Sequence, residues 1–386
     1  MKLPGAYGIW PVAAPPFIRS KVMGPLSGYR IIELGGLGPA PMCGLLLADL
    51  GAEVILVERP GKAEIGVAPT RSIERRGKRS IELDLKAARS VDIILKLVET
   101  ADGLIEGFRP GVAERLGLGP ADCHVRNPKL VYGRVTGWGQ DGPLAQTAGH
   151  DINYISLAGA LDAIGPAGGS PLPPLNLVGD YGGGAMYLAC GLLAGLLEAH
   201  QSGQGQVIDA AMMDGALFQM SLFFSLRAGG RWNDGRGNNH LDGAAPYYRT
   251  YETKDLRFVA VGALEQKFYN EFVDGLGLAM SELPERLDPA NWGQLIKKFE
   301  IVLKSKTQQE WIEIFNGSDA CVTPVLPLSE VKDHPHTKAR RSVVENAKLT
   351  QPSPGPRFSR TQLKLPAAPE NKGASTQTIL RELGLG

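Results

Sequence analysis

Along the first third of the chain, short runs of branched apolar residues alternate with longer stretches of helical periodicity. Arg30-Ile31-Ile32-Glu33-Leu34 reads as a strand stopped by Gly35-Gly36, followed by a helix over 41–50 and a strand over 52–57. A second unit predicts a strand over 80–85, a helix over 87–100 and a strand over 103–108, with a further strand at 130–135. Strands spaced by helices imply an α/β fold with a parallel sheet covered on both faces.

After Gly230 the pattern changes. Residues 231–239 are polar and glycine-rich, a connection rather than an element. Residues 247–251 and 257–261 then predict a small antiparallel pair, followed by helices over 266–276 and 292–315. The organisation that follows is a leader at 1–23, a large domain at 24–229, a small α+β domain at 230–328 and a closing segment at 329–386. That last segment is expected to return to the large domain, its proline-rich part (352–372) wrapping over other elements. The leader carries Lys2, Arg19 and Lys21 and no acid, as a transit peptide would, but Pro4, Pro11, Pro15 and Pro16 would interrupt an amphipathic helix, so a disordered extension is the plainer of the two readings. The apolar stretch 184–197 is too short for a bilayer span and reads as a buried core helix, so no membrane partner is expected.

Composition narrows the function classes. Lys+Arg of 41 against Asp+Glu of 40 speaks against a nucleic-acid partner. Cys43, Cys123, Cys190 and Cys321 are scattered without metal-ligand or disulfide spacing, so free and mostly buried thiols in a reducing compartment are expected, with no metal. That suits the cytoplasm, or a mitochondrion or peroxisome in a eukaryotic cell. Gly36-Leu37-Gly38 with Glu58 at the end of the next strand invites a dinucleotide reading, but Pro41 replaces the third glycine. The run Arg75-Arg76-Gly77-Lys78-Arg79 reads by itself as a solvated charge face. Arg59, Arg109 and Arg115, at strand-to-helix junctions, suit the phosphates of a nucleotide-like ligand beyond the carboxyl ends of the strands. No Gly-x-x-x-x-Gly-Lys loop supports an NTPase.

Two proton carriers stand beside small residues ahead of helical runs: His150 in Gly149-His150-Asp151-Ile152-Asn153-Tyr154, and Asp180 in Gly179-Asp180-Tyr181-Gly182-Gly183-Gly184. Taken alone, His150 reads as a neighbour of a helix cap and Asp180 as a turn residue. Met212, Met213, Met220, Phe218, Phe223 and Phe224 read as core packing, although a methionine-lined surface could accept varied acyl chains. His124, His200, His240, His334 and His336 carry no assigned role.

Longer motifs give these pairs a context. Gly24-Pro25-Leu26-Ser27-Gly28, Ala48-Asp49-Leu50-Gly51-Ala52-Glu53-Val54, the Arg75 to Ser80 run and Glu106-Gly107-Phe108-Arg109-Pro110-Gly111 resemble the family III CoA transferases. The His150 motif, Pro174-Leu175-Asn176-Leu177-Val178-Gly179-Asp180 and Asp319-Ala320-Cys321-Val322-Thr323-Pro324-Val325-Leu326 are similar to the α-methylacyl-CoA racemases in particular. The resemblance runs from about Gly24 to Ser359. It implies a Rossmann-like large domain, a small domain and an interlocked homodimer whose active site lies between the large domain of one chain and the small domain of the other. It implies an acyl-CoA substrate and no separate cofactor. It implies His150, Asp180 and Glu265 as the catalytic set, and CoA contacts from Arg59, Leu83, Asp84, Leu85, Arg109, Arg115, Gly149, Asp151, Ile152, Asn153 and Tyr154. Two positions depart from that pattern: Leu56 stands where a basic residue is common, and Gln266-Lys267 where Pro-Gln is usual.

The chemistry follows from the residue types. A hydrogen beside a thioester carbonyl leaves as a proton to give an enolate, and inversion needs one acid/base group on each face. A histidine suits one of these roles because a free imidazole titrates near neutrality, whereas Asp180 must be raised by burial to hold a proton. Glu265 would orient His150, and the Asp151 amide at the helix start would meet the enolate oxygen. The alternatives are a true CoA transferase with Asp180 as nucleophile and a non-catalytic CoA-binding scaffold.

Overall fold

The structure, a computed structural model, describes residues 24–61 and 67–385. The leader at 1–23 lies outside the described residues, and its expected disorder with it.

Six strands form one parallel sheet in the order β3-β2-β1-β4-β5-β6: β1 (Arg30–Leu34), β2 (Glu53–Glu58), β3 (Lys78–Glu82), β4 (Gly103–Glu106), β5 (Val131–Thr136) and β6 (Val207–Ala211). The order runs outward from β1 in one direction and from β4 in the other, which places a topological switch point between these two neighbours. Both faces are covered. Ile31, Val54, Ile105 and Val135 pack beneath helices Pro39–Asp49 and Tyr187–Ser202. Ile32, Ile55, Ile81 and Tyr132 face helices Ala88–Val98, Pro120–Arg126 and Thr376–Glu382. Successive strand residues point to opposite faces, so a two-sided core demands the near-continuous apolar runs seen in β1, β2 and β4.

The outer strand β6 is the one the hydrophobic pattern does not announce. It pairs only with β5 and leaves Val207 and Asp209 exposed, so no apolar run was required of it. Strand β3 begins at Lys78 and ends at Glu82, earlier than the expected 80–85, and a buried lysine opens it. Lys78 is paired with Glu33 at 2.6 Å, and Arg76, just before it, with Asp49. Arg75 forks onto Glu58, and Arg79 onto Glu53 and Glu382. The reading of this basic run as a solvated face is therefore wrong: its side chains tie β3 to the rest of the fold. Glu58 is thereby held by Arg75 and Ser80, which removes the carboxylate a dinucleotide ribose would need.

A second, antiparallel sheet orders β7 (Tyr248–Glu252), β8 (Phe258–Gly262) and β9 (Val322–Pro324) as β7-β8-β9. Its own core gathers Tyr251, Val259, Phe272, Phe299 and Trp311. The helix expected over 292–315 is two, Trp292–Leu303 and Gln308–Phe315. Thr307 caps the second in a reciprocal box with Glu310, and this satisfies amides that one uninterrupted helix would not have exposed. The chain then forms the hairpin β10 (Val343–Asn346) and β11 (Leu349–Pro352) and runs back to β3, where the Gly77 amide donates to the Ala367 carbonyl and the Ser375 amide to that of Ser80.

Three further expectations need correction. Only Cys43 and Cys123 are buried; Cys190 and Cys321 are exposed. The apolar run around 184–197 belongs to a continuous helical segment, Leu177–Ser202, whose 26 residues are long and apolar enough to cross a membrane. It buries Leu188, Leu192 and Leu196 against the sheet but leaves Tyr187 and Leu197 exposed, so it is a half-buried helix of the fold. The aromatic helices after Met212 are not core throughout, since Phe218, Leu222 and Phe224 are more than half exposed.

Candidate active site

Asp180 sits in a ten-residue π-helical segment, Leu177–Met186, that leads into the Tyr187–Ser202 helix. Wide turns of this kind are rare and cluster at functional sites. Glycines make this one possible by close approach. A Cβ at Gly183 would lie 2.6 Å from the Met212 carbonyl, so the segment presses backbone to backbone on the Met212–Gln219 helix. Sequence alone read Asp180 as a turn residue; packing of glycine on glycine makes it helical.

The Asp180 carboxyl is half-buried, and its pKa is raised above the usual carboxylate range. Desolvation is the largest cause; the neighbouring Asp151 and Glu74 add to it, while the Asn176 amide and His150 oppose it. Asn176 Nδ2 donates to Asp180 Oδ2 at 3.2 Å. Asp151, which is 6% exposed, accepts the backbone N–H of Asp180 on Oδ2 at 2.7 Å, and its Oδ1 has no hydrogen-bond partner among the described residues. The loop after β1 closes the other side: Gly38 has φ 70°, and a Cβ there would stand 3.0 Å from Asp180 Oδ2.

His150 is the N-cap of the Asp151–Leu157 helix, with its side chain exposed and free of a capping bond. Its backbone amide donates instead to Asn153 Oδ1 at 3.0 Å. This leaves the imidazole available to a ligand, near enough to Asp180 to oppose the rise of its pKa. Tyr154 anchors the turn from behind: its hydroxyl donates to the Gly149 carbonyl and its ring meets Trp138 edge-on at 4.9 Å. One patch thus holds an exposed imidazole, a half-buried protonatable carboxyl and a helix start with unpaired amides.

Over residues 26–375 the sequence matches CoA-transferase family III. The chain belongs to that family. Among relatives of this family III chain, the alpha-methylacyl-CoA racemase of Mus musculus is 45% identical over 93% of this chain and 93% of its own length. That of Homo sapiens is 42% identical over the same shares. A CAIB/BAIF family protein from Brucella suis superposes with a TM-score of 0.79 at 25% identity, covering 93% of this chain and 99% of that one.

The remaining sequence-predicted residues fall into three places. Arg59, after β2, lies over the Phe108 ring at 5.7 Å, and Arg109 follows that ring after β4, so two exposed guanidinium groups flank the β1/β4 switch point. Arg115 and Leu85 share a cleft of about 300 Å³ with Lys86, Val91 and Leu116. Leu83, Asp84 and Leu85 lie past the end of β3 rather than on it; the Leu83 amide donates to the Glu58 carbonyl at 2.8 Å. Leu56 is buried within β2, so the departure at that position touches no phosphate-side surface.

Glu265 is elsewhere. It is exposed at the N-cap of helix Gln266–Gly275, after β8, and among the described residues it makes no hydrogen bond or ion pair with His150. A single chain therefore unites His150, Asp180 and the Gly149–Tyr154 turn but leaves Glu265 apart. Sequence reasoning missed Asn176 and Glu74, which bear on Asp180, and Tyr181, whose hydroxyl donates to Glu74 at 2.9 Å. The spacing of Asn176, four residues before Asp180, is the one signal that could have found it.

Proposed function

We propose that this family III chain is an α-methylacyl-CoA racemase, interconverting the (R) and (S) forms of 2-methylacyl-CoA thioesters by 1,1-proton transfer. The observation that carries the reading is the pairing of an exposed imidazole at His150 with a half-buried carboxyl at Asp180 that the fold biases toward its protonated form. One member takes the α-proton while the other delivers a proton to the opposite face, and the roles exchange in reverse. Each well-placed group is typically worth about 10²–10⁴ in rate. The Asp151 amide is the donor aimed at the enolate oxygen, a contribution on the order of 2.7–4 kcal/mol in comparable oxyanion sites.

Arg59, Arg109 and Arg115 would receive the phosphates of CoA, with the Leu83–Leu85 backbone and the Gly149–Tyr154 turn along its length. No separate cofactor enters this scheme. Glu265 would reach His150 from a second copy of the chain, in an interlocked homodimer. Its exposure, and the exposed apolar face formed by Phe218, Leu222 and Phe224, support that assembly.

Incubation of a single enantiomer of a 2-methylacyl-CoA in D2O, with no acceptor acid, tests the reading. NMR should show α-deuteration together with loss of enantiomeric purity. CoA transfer that starts only when a free carboxylic acid is added would replace the racemase with a transferase.

A further inference from the structure

A buried cation stands directly behind the exposed Glu265. Arg286 is 6% exposed, with its guanidinium carbon 4.8 Å from the Tyr247 ring centroid and 4.9 Å from that of Tyr269. Among the described residues it forms no ion pair, so its N–H groups must find neutral acceptors. Two of those acceptors flank Glu265 in the chain. Nη1 donates to the Leu264 carbonyl at 3.0 Å, and Nε donates to Gln266 Oε1 at 3.0 Å. The Gln266 amide then donates to Asn270 Oδ1 at 2.8 Å, one turn further on. The Arg286 carbonyl is itself fixed by the indole N–H of Trp292 at 2.8 Å.

Glu265 has an extended backbone, φ −81° and ψ 149°, and caps its helix without a side-chain bond, so its carboxylate stays free while the residues on either side are held. A proline at the first helical position would fix φ through its ring. Gln266 has no such ring, and the chain Arg286–Gln266–Asn270 supplies the constraint instead. We propose that Arg286, acting through Leu264 and Gln266, is a positioning residue that fixes the aim of Glu265; this rests on the reading of Glu265 as the carboxylate that pairs with His150.

The test compares Arg286→Lys and Gln266→Ala with Glu265→Gln in racemisation assays across pH, with circular dichroism as a check on folding. Loss of a carboxylate beside His150 lowers the histidine pKa, so Glu265→Gln should carry the acidic limb of the kcat/KM profile to lower pH. Arg286→Lys keeps the charge but loses the planar fork. It should move the same limb the same way and lower kcat about 10- to 100-fold, the scale of a displacement of about 1 Å, with KM changed less than about twofold. Gln266→Ala should do the same more weakly. A displaced limb in Glu265→Gln with native behaviour in Arg286→Lys overturns the clamp. An undisplaced limb in Glu265→Gln overturns the role of Glu265, and the clamp with it. Should Arg286→Lys not fold, Gln266→Ala decides at an exposed position: an unchanged kcat and limb reject the proposal.

Discussion

Asp180 and Glu265 are both carboxylates proposed for one reaction, yet the two sheets hold them in opposite ways. Asp180 lies in a π-helical segment pressed between helices, half-buried, with Asp151 and Glu74 as like-charged neighbours. Glu265 stands at an exposed helix start after a strand of the three-stranded sheet, with a buried arginine bonded to its neighbours and, among the described residues, no hydrogen bond to its own oxygens. The contrast teaches how environment separates two chemically similar groups. A carboxyl that must hold a proton needs desolvation and nearby negative charge. A carboxylate proposed to meet an imidazole from another chain needs solvent access and a rigid mount.

The hardest way to break this comparison is to remove the proton from one side. Asp180→Asn should lower racemisation about 10²- to 10⁴-fold, measured as loss of optical purity of a 2-methylacyl-CoA, while CoA affinity stays near native because the arginines proposed to hold CoA are untouched. Near-native racemisation would remove Asp180 from the reaction.

A smaller but more decisive effect concerns where Glu265 acts. Asp180→Asn and Glu265→Gln chains, each nearly inactive, should regain activity when co-expressed. With random pairing, half the dimers are mixed and each mixed dimer holds one intact site, so roughly a quarter of native sites return in a two-fold assembly. Mixed preparations no more active than the separate variants would confine the site to one chain.

The smallest effect concerns stability. The folded pKa of Asp180 lies above its ordinary value of 3.8, so the fold favours the protonated carboxyl. That contribution is fully present below the unfolded pKa and is lost as pH rises through the folded one. Asp180→Asn should therefore melt above the native protein at about pH 7, with the difference closing toward about pH 4. A gap that widens on acidification would mean that burial does not dominate at this carboxyl.

Much of this was legible along the chain because the physics is local. Strands β1, β2, β4 and β5 were readable from runs of branched apolar residues, and the pair β7 and β8 from alternation. His150 and Asp180 were marked by small residues, although it was the longer motifs that lifted them above cap and turn. Strand β6 was not legible, since an edge strand needs no apolar run. The break at Thr307 carried its capping signature but lay inside an apolar stretch that masked it.

What the sequence by itself determined is the alternation that builds a parallel sheet and the chemical types at its ligand-binding edge, because both rest on short-range periodicity and side-chain identity. Only the tertiary structure decided that four neighbouring basic residues are internal struts. It alone set the raised pKa of Asp180 and left Glu265, among the described residues, without a bond to His150. Pairing partners, desolvation and the contacts of an N-cap are made by residues tens or hundreds of positions apart, and no local pattern encodes which of them meet.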